Sequence, residues 1–303
     1  MSDLILHHFD WSPYGEKVRV LLGLKRLSWR SVQIPMVMPK PDLTALTGGY
    51  RKTPVLQIGA DIYCDTNCIA RELEQRFPQP SFFPDGGRGL AFALAVWAEK
   101  FFEPGAGLSM GLNDQLPADL MQDRREFFSH MDFAKFAERT PHMFAQVLSN
   151  ADLVEEQLSD GRDFLTGGRP GLADASAYYV LWMARGFVAA MNGMLEPYRR
   201  LAQWEERMRA IGHGERTDIA AAEAIAVARA ATPRPGLGVV ADDPSGLHAG
   251  QRVTVTPDDY GKVPVAGELL TLDRQRVSVR RSDERAGDVV VHFPRLGYVV
   301  APA

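Results

Sequence analysis

Ser12-Pro13-Tyr14-Gly15-Glu16-Lys17-Val18 follows closely on a short apolar run, Leu-Ile-Leu-His-His-Phe at 4–9. The run reads as a buried strand. Serine at an N-cap, with proline at the first helical position, is a strong helix start. The hydroxyl can accept from a free backbone N–H, and proline has no N–H to leave unpaired. Val18, Leu21 and Leu22 then recur on one helical face. Outward from this unit, a second strand is expected at 31–34 and a loop at 35–49 with a helical turn at 42–46. A hairpin is expected at 55–58 and 61–63, turning at Gly59-Ala60. Asp65-Thr66 caps a helix with Ile69, Leu73 and Phe77 inside, stopped by Pro78 and Pro80. The order is β-α-β, then β-β-α. The first unit suggests a parallel pair with a crossover helix, the second an antiparallel hairpin with a covering helix. Together they make a small mixed sheet over residues 1–80.

The stretch 82–87, Phe-Phe-Pro-Asp-Gly-Gly, is a linker by composition. Helical patterns follow at about 88–112, 118–134, 140–160, 172–191 and 195–212, which predicts an all-α bundle over 88–214. Residues 215–231 are alanine-rich and are expected to form a connecting helix on propensity alone. Thr232-Pro233-Arg234-Pro235-Gly236 then breaks the helix, and the apolar period changes to two. Short strands around Val253/Val255, Leu270/Leu272, Val277/Val279 and Val289/Val291 predict a small all-β module at 232–303, barrel-like or a sandwich. It is expected to cover an edge of the helical domain or to support an interface.

The 303 residues carry a formal net charge of −4, so no strong attraction to nucleic acid or to a membrane surface is implied. Five arginines of the β-module (Arg274, Arg276, Arg280, Arg281, Arg285) are interleaved with acidic residues and read as a solvated strand face. No nucleic-acid or membrane partner is expected. The opening Met-Ser-Asp shows no basic stretch leading into an apolar segment, and no apolar run approaches the ~18 residues of a membrane span. Two cysteines, Cys64 and Cys68, suggest structural thiols in a reducing, cytoplasmic setting. No cluster has the spacing of a metal site. His7 and His8, on a buried strand, read as structural histidines.

Chemistry points to the helix starts. A thiolate at a helix N-terminus is stabilised by unpaired N–H groups and the helix dipole. A serine hydroxyl there can donate to such a thiolate, or it can serve only as a cap. The thiol would have to come from a ligand, because no cysteine lies in the motif.

Ser-Pro-Tyr-x-x-Lys-Val resembles the first motif of serine-type glutathione transferases. Lys52-Thr53-Pro54-Val55-Leu56 is similar to the family's segment with a cis-proline before the third strand. Asp65-Thr66-Asn67-Cys68-Ile69 is similar to its Glu-Ser-Asn-Ala-Ile signature. Phe164-Leu165 with Leu172-Ala173-Asp174, and the run 198–204 with Met208, resemble its helical domain. The likeness covers roughly residues 3–213. It implies a thioredoxin-like α/β domain followed by an all-α domain, a homodimer, and glutathione as co-substrate with no other cofactor. It also implies conjugation of the glutathione thiol to a hydrophobic electrophile. The alternative is a non-catalytic ligand-binding or protein-interaction module on the same fold.

By this resemblance Ser12 would donate to the glutathione sulfur, and Pro54 would be cis, turning Thr53 toward the cysteinyl unit. Asp65 would hold the γ-glutamyl ammonium and Thr66 its carboxylate. Lys52, or less directly Lys40, would meet the glycine carboxylate. Each residue also has a plainer reading: caps for Asp65 and Thr66, a strand-start proline, solvated lysines. Trp97, Phe101 and Met110, with Phe102 and Leu108, would line the electrophile site or belong to the core. Tyr14 reads as packing. The sequence departs from the family at Asp65 and Thr66, which replace Glu and Ser, and at Gly171, which replaces the usual Ser or Thr cap and leaves Asp174 without its reciprocal partner.

Overall fold

The computed structural model describes residues 3–84, 87–113 and 115–303. Strand β1 (Leu4–His8), helix α1 (Pro13–Leu24) and strand β2 (Ser28–Gln33) form the parallel unit, with Ile5 opposite Arg30 and His7 opposite Val32. Helix α2 (Pro41–Thr47) precedes the hairpin β3 (Val55–Ile58) and β4 (Asp61–Cys64), and β3 runs antiparallel to β1. Helix α3 (Thr66–Arg76) covers the hairpin. Alternation along β1 sends Leu4 and Leu6 to one core and Ile5 to another, the two-residue period of a strand buried on both faces.

The linker expected at 82–87 includes Asp85 and Gly86, which lie outside the described residues. The helical domain follows: α4 (Arg88–Glu99), α5 (Phe102–Gly111), α6 (Ala118–Phe127), a 3-10 turn (Phe133–Lys135), α7 (Phe136–Gln157), α8 (Leu172–Phe187), α9 (Ala189–Met194) and α10 (Arg199–Ala210). The single helix expected at 88–112 is two helices, broken at Lys100–Phe101. Helix α8 runs through the middle, and residues 172–181 are all buried. Among the described residues no helix is long and apolar enough to cross a membrane.

Two sequence expectations fail here. The first is a helix through 215–231. Glu215–Asp218 is instead a strand, β5, parallel to β2, and helix α11 is confined to Ala221–Ala230. The open edge of β2 supplies backbone partners that outweigh intrinsic helix propensity. Arg216, which bonds Asp10 and Asp218, pins the new strand.

The second is the barrel-like form expected for the β-module, which is itself present at the expected place. Strands β6 (Gly238–Val239), β7 (Arg252–Pro257), β8 (Val265–Leu272), β9 (Arg276–Asp283), β10 (Gly287–Pro294) and β11 (Tyr298–Pro302) do not close on themselves. β10 runs parallel to β4, with Val290 opposite Asp61 and His292 opposite Tyr63, so one sheet continues in the order β11-β7-β8-β9-β10-β4-β3-β1-β2-β5. The module therefore covers an edge of the first sheet, and its β7–β8 turn also packs on the end of α6 in the helical domain, where Gly261 donates to the Phe127 carbonyl. Its arginines are committed within the chain: Arg274 to Asp242, Arg276 to Asp273, Arg280 to Glu268, Arg281 to Asp283 and Arg285 to Asp42.

The cap of α8 is also better supported than the sequence suggested. Asp174 is fully buried and accepts from the Leu165 N–H at 2.8 Å, the Gly171 N–H at 3.0 Å and the Trp204 Nε1–H at 2.9 Å. A Cβ at residue 171 would stand 2.5 Å from the Phe82 carbonyl oxygen, which accepts from Leu172 N–H at 3.0 Å. Glycine is there because two segments meet, and the Asp174 carboxylate keeps the Gly171 N–H and adds the donors of Leu165 and Trp204. Asp174→Ala strands three buried donors and should cost about 3–5 kcal/mol. Urea unfolding checks this, and a loss under about 1 kcal/mol would show that the site repairs itself with water.

Candidate functional site

Ser12 is buried where β1 hands over to α1, and its Oγ accepts from the Gly15 N–H at 3.0 Å. Its hydroxyl hydrogen has no acceptor among the described residues, so capping and donation to a ligand are compatible. The turn that carries Ser12 is fixed by Arg19, which donates to the Asp10 carbonyl at 2.9 Å, the Phe9 carbonyl at 3.4 Å and the Glu16 carboxylate at 2.7 Å. Burial pushes the Glu16 carboxyl up, but His213 and Arg19 outweigh it and hold Glu16 below its ordinary range.

Asp65 caps α3. Its Oδ1 accepts from the Asn67 N–H at 2.8 Å and its Oδ2 from the Tyr298 hydroxyl at 3.3 Å. Its φ is +78°, a conformation that costs a residue with a side chain on the order of 1–3 kcal/mol and is typical of functional sites. Thr66 is buried, and its Oγ1 accepts from the buried Lys17 Nζ at 2.9 Å. Burial lowers the Lys17 ammonium, against the pull of Glu99 and Asp65. Burial raises the Asp65 carboxyl, against the Asn67 amide and the Lys17 and Lys52 ammoniums. Glu99, on α4, is raised by burial too, with Lys17 opposing and Asp65 adding to it. The Lys17 ammonium is bonded to Thr66 and forms no ion pair with either carboxyl among the described residues, so a further cation is favoured between Asp65 and Glu99.

The Thr53–Pro54 bond is cis, and Thr53 Oγ1 is buried with no hydrogen-bond partner. Lys52 is not solvated: its Nζ lies 2.5 and 2.7 Å from the two carboxylate oxygens of Asp259, and 4.1 Å from the centre of the Tyr260 ring. Lys40 is only 5% exposed and has no hydrogen bond or ion pair among the described residues. Beside it, Arg51 at 2.7 Å and Arg124 at 2.5 Å both hold Asp123. Burial and the Arg124 charge push the Lys40 ammonium down to about 8.

A cavity of about 510 Å³ brings together Ser12, Lys40, Lys52, Thr53, Pro54, Asp65 and Thr66, with Glu99, Arg51 and Arg124. Its apolar wall comes from Met36, Phe102, Met110, Leu120, Phe127 and Phe128. Of the residues expected to line an electrophile site, Phe102 and Met110 do. Trp97 and Phe101 are outside the lining. Their rings pack on each other 5.2 Å apart, because the helix break at Lys100–Phe101 shifts the helical phase. Leu108 is core. Tyr14 packs against Phe102 and Tyr179, as its sequence reading implied. His7 is buried on Gln57 and His8 on Ser31, with pKa values lowered to about 4 and about 3, first of all by burial. Cys64 and Cys68 are free and buried.

Sequence reasoning missed the contribution of the C-terminal module, since Asp259 and Tyr260 also line the cavity. Their only signal was the turn composition from Pro257 to Gly261.

Residues 6–81 match the family model described as the glutathione S-transferase N-terminal domain, and residues 137–207 match that of the C-terminal domain. A crystal structure of a GST-like protein from Pseudomonas syringae is 40% identical, with all of each chain covered and a TM-score of 0.81. That match runs through the C-terminal strands. A glutathione S-transferase from Rhodospirillum rubrum F11 is 22% identical over 68% of this chain and 88% of its own, with a TM-score of 0.52. FtsZ-localized protein A of Caulobacter vibrioides is 24% identical over 189 residues, 57% of this chain and 73% of that protein.

An ammonium buried without a partner is costly below its folded pKa and ceases to be so as it deprotonates. At pH 7 both the folded and unfolded states carry the Lys40 charge, and only the folded state bears the penalty. Lys40→Met should therefore stabilise the ligand-free protein by about 2 kcal/mol at pH 7. The gain should fade as pH rises from about 8 toward the ordinary lysine value of 10.5. Thermal unfolding against pH checks this, and a destabilised variant at pH 7 would contradict it.

Proposed function

The chain belongs to the glutathione S-transferase family, and we propose that it binds glutathione in this cavity and activates its thiol for conjugation to a hydrophobic electrophile. The observation that carries the reading is Ser12: a buried hydroxyl at the N-terminus of α1, its acceptor side satisfied by Gly15 and its hydrogen uncommitted. A thiolate placed there gains a donor and the helix dipole, both of which lower its pKa. This is a serine-type arrangement.

The rest of the ligand has matching partners. The γ-glutamyl ammonium sits between Asp65 and Glu99, where negative charge exceeds positive. Its carboxylate takes the N–H groups and Thr66 hydroxyl at the start of α3. The cysteinyl unit runs beside Thr53, whose unpaired Oγ1 accounts for a polar contact still to be made. The glycine end points to Lys52 and Lys40. The thiolate then attacks an electrophilic carbon on the wall of Phe102, Met110 and Phe127: a C–S bond forms, the leaving group departs with its electron pair, and the thiol proton is lost to solvent. A homodimer in the cytoplasm completes the proposal. Exposed Leu90 and Val96 on α4 offer apolar surface for the first, and two free thiols suit the second.

Ser12→Ala should lower conjugation of an activated aryl halide about a hundredfold and leave the glutathione Kd within about twofold. Asp65→Ala should weaken glutathione binding by roughly 10–100-fold. Calorimetry and steady-state kinetics on the three proteins test this. Saturable binding with no turnover in wild type would favour the non-catalytic alternative, and no binding at millimolar glutathione would overturn the proposal.

A further inference from the structure

The turn between β7 and β8 reaches into the candidate site and is held there from several sides. Tyr260 packs its ring against Phe127 at 5.1 Å and Phe128 at 4.9 Å, and its hydroxyl lies 3.5 Å from that of Tyr14. Gly261 donates its N–H to the Phe127 carbonyl at 3.1 Å. It has φ +58°, and a Cβ there would stand 2.4 Å from the Phe127 ring. Only glycine allows this approach. The position of Asp259, the residue before Tyr260, follows from this packing, and its carboxylate grips Lys52 with both oxygens.

The cations of the cavity are therefore unequally available. Lys52 is held by Asp259, Arg51 and Arg124 share Asp123, and Lys40 alone has no hydrogen bond or ion pair among the described residues, its ammonium lying 5.8 Å from the centre of the Phe9 ring. A ligand carboxylate arriving at Lys52 meets a carboxylate already in place. It must share the ammonium or displace Asp259, whereas a neutral group at the same end meets no like charge.

We propose that Asp259 is a specificity-determining residue of the thiol site, a charge filter that disfavours a free carboxylate at the glycine end. The thiols it favours are glutathione derivatives in which that carboxylate is blocked as an ester or amide. This rests on the glutathione reading given above and adds a substrate class to it.

The test is calorimetric titration of the full chain with glutathione and with its glycine monoethyl ester, for wild type and Asp259→Asn. Wild type should bind the ester at least as tightly as glutathione. Asp259→Asn should tighten glutathione roughly tenfold and change the ester less than about twofold. In wild type, raising the salt should move the ratio of the two affinities toward that of the variant, because the filter is electrostatic. This arm stands even if the variant folds poorly. Binding of both ligands with a ratio unmoved by the substitution and by salt would overturn the inference and leave the glutathione reading intact. If neither ligand binds either protein, the glutathione reading falls and the filter with it.

Discussion

The pairing of β10 with β4 places Val290 beside Asp61 and His292 beside Tyr63, and the geometry of the candidate site depends on it. The bond is reinforced off the backbone: the His292 ring stacks on Tyr63 with centroids 4.5 Å apart, and its Nε2 lies 2.8 Å from Asp61 Oδ1. Without this seam the C-terminal strands would be an appendage. With it, two sheets become one, and β11 and the β7–β8 turn lie over the starts of α3 and of the cis-proline segment. Tyr298 then reaches Asp65, Asp259 reaches Lys52, and Tyr260 fills the space between Tyr14 and α6. A strand edge left open is a liability for a soluble protein, and here its cover also furnishes part of the cavity wall.

The site concentrates features that cost folding free energy. Asp65 is held at a positive φ, Thr53 carries an unpartnered hydroxyl, Lys40 is a buried ammonium without a hydrogen bond or ion pair among the described residues, and Asp65 and Glu99 are both buried carboxyls raised by that burial. Each is unfavourable without a ligand, and a ligand can relieve it: a polar partner for Thr53 and a cation for the two carboxylates. The surroundings are correspondingly rigid. Arg19, Glu16 and His213 lock the turn before α1, and the buried Asp174 locks the N-terminus of α8.

The parts of this arrangement that were legible in the sequence are local ones. Ser12 with Pro13 announces a helix start, Asp65 with Thr66 another, and each is decided within one helical turn. The hairpin of β3 and β4 is likewise set by alternation and a tight turn. What was hidden depends on distant segments meeting. Lys52 and Asp259 are 207 residues apart, and nothing in either neighbourhood encodes the other. The pairing of β5 with β2 turned an expected helix into a strand by the same route. Trp97 and Phe101 were misplaced because a helix break at Lys100 changed which face looks into the cavity; Pro104, which has no N–H to give the Lys100 carbonyl four residues back, was the overlooked local signal of that break. Gly171 looked like a weakened cap until the Phe82 carbonyl was seen to occupy the space of a side chain.

The central claim is that Ser12 and the N-terminus of α1 stabilise the thiolate of bound glutathione. The most direct measurement follows the ultraviolet absorbance of the thiolate as pH is varied, with glutathione bound to wild type and to Ser12→Ala. A free thiol of this kind ionises near pH ~8.5. The account predicts that the thiol bound to wild type ionises at least about one pH unit lower, and that Ser12→Ala removes most of that shift. A bound thiol that ionises as it does in free solution, or a shift indifferent to Ser12, would contradict it.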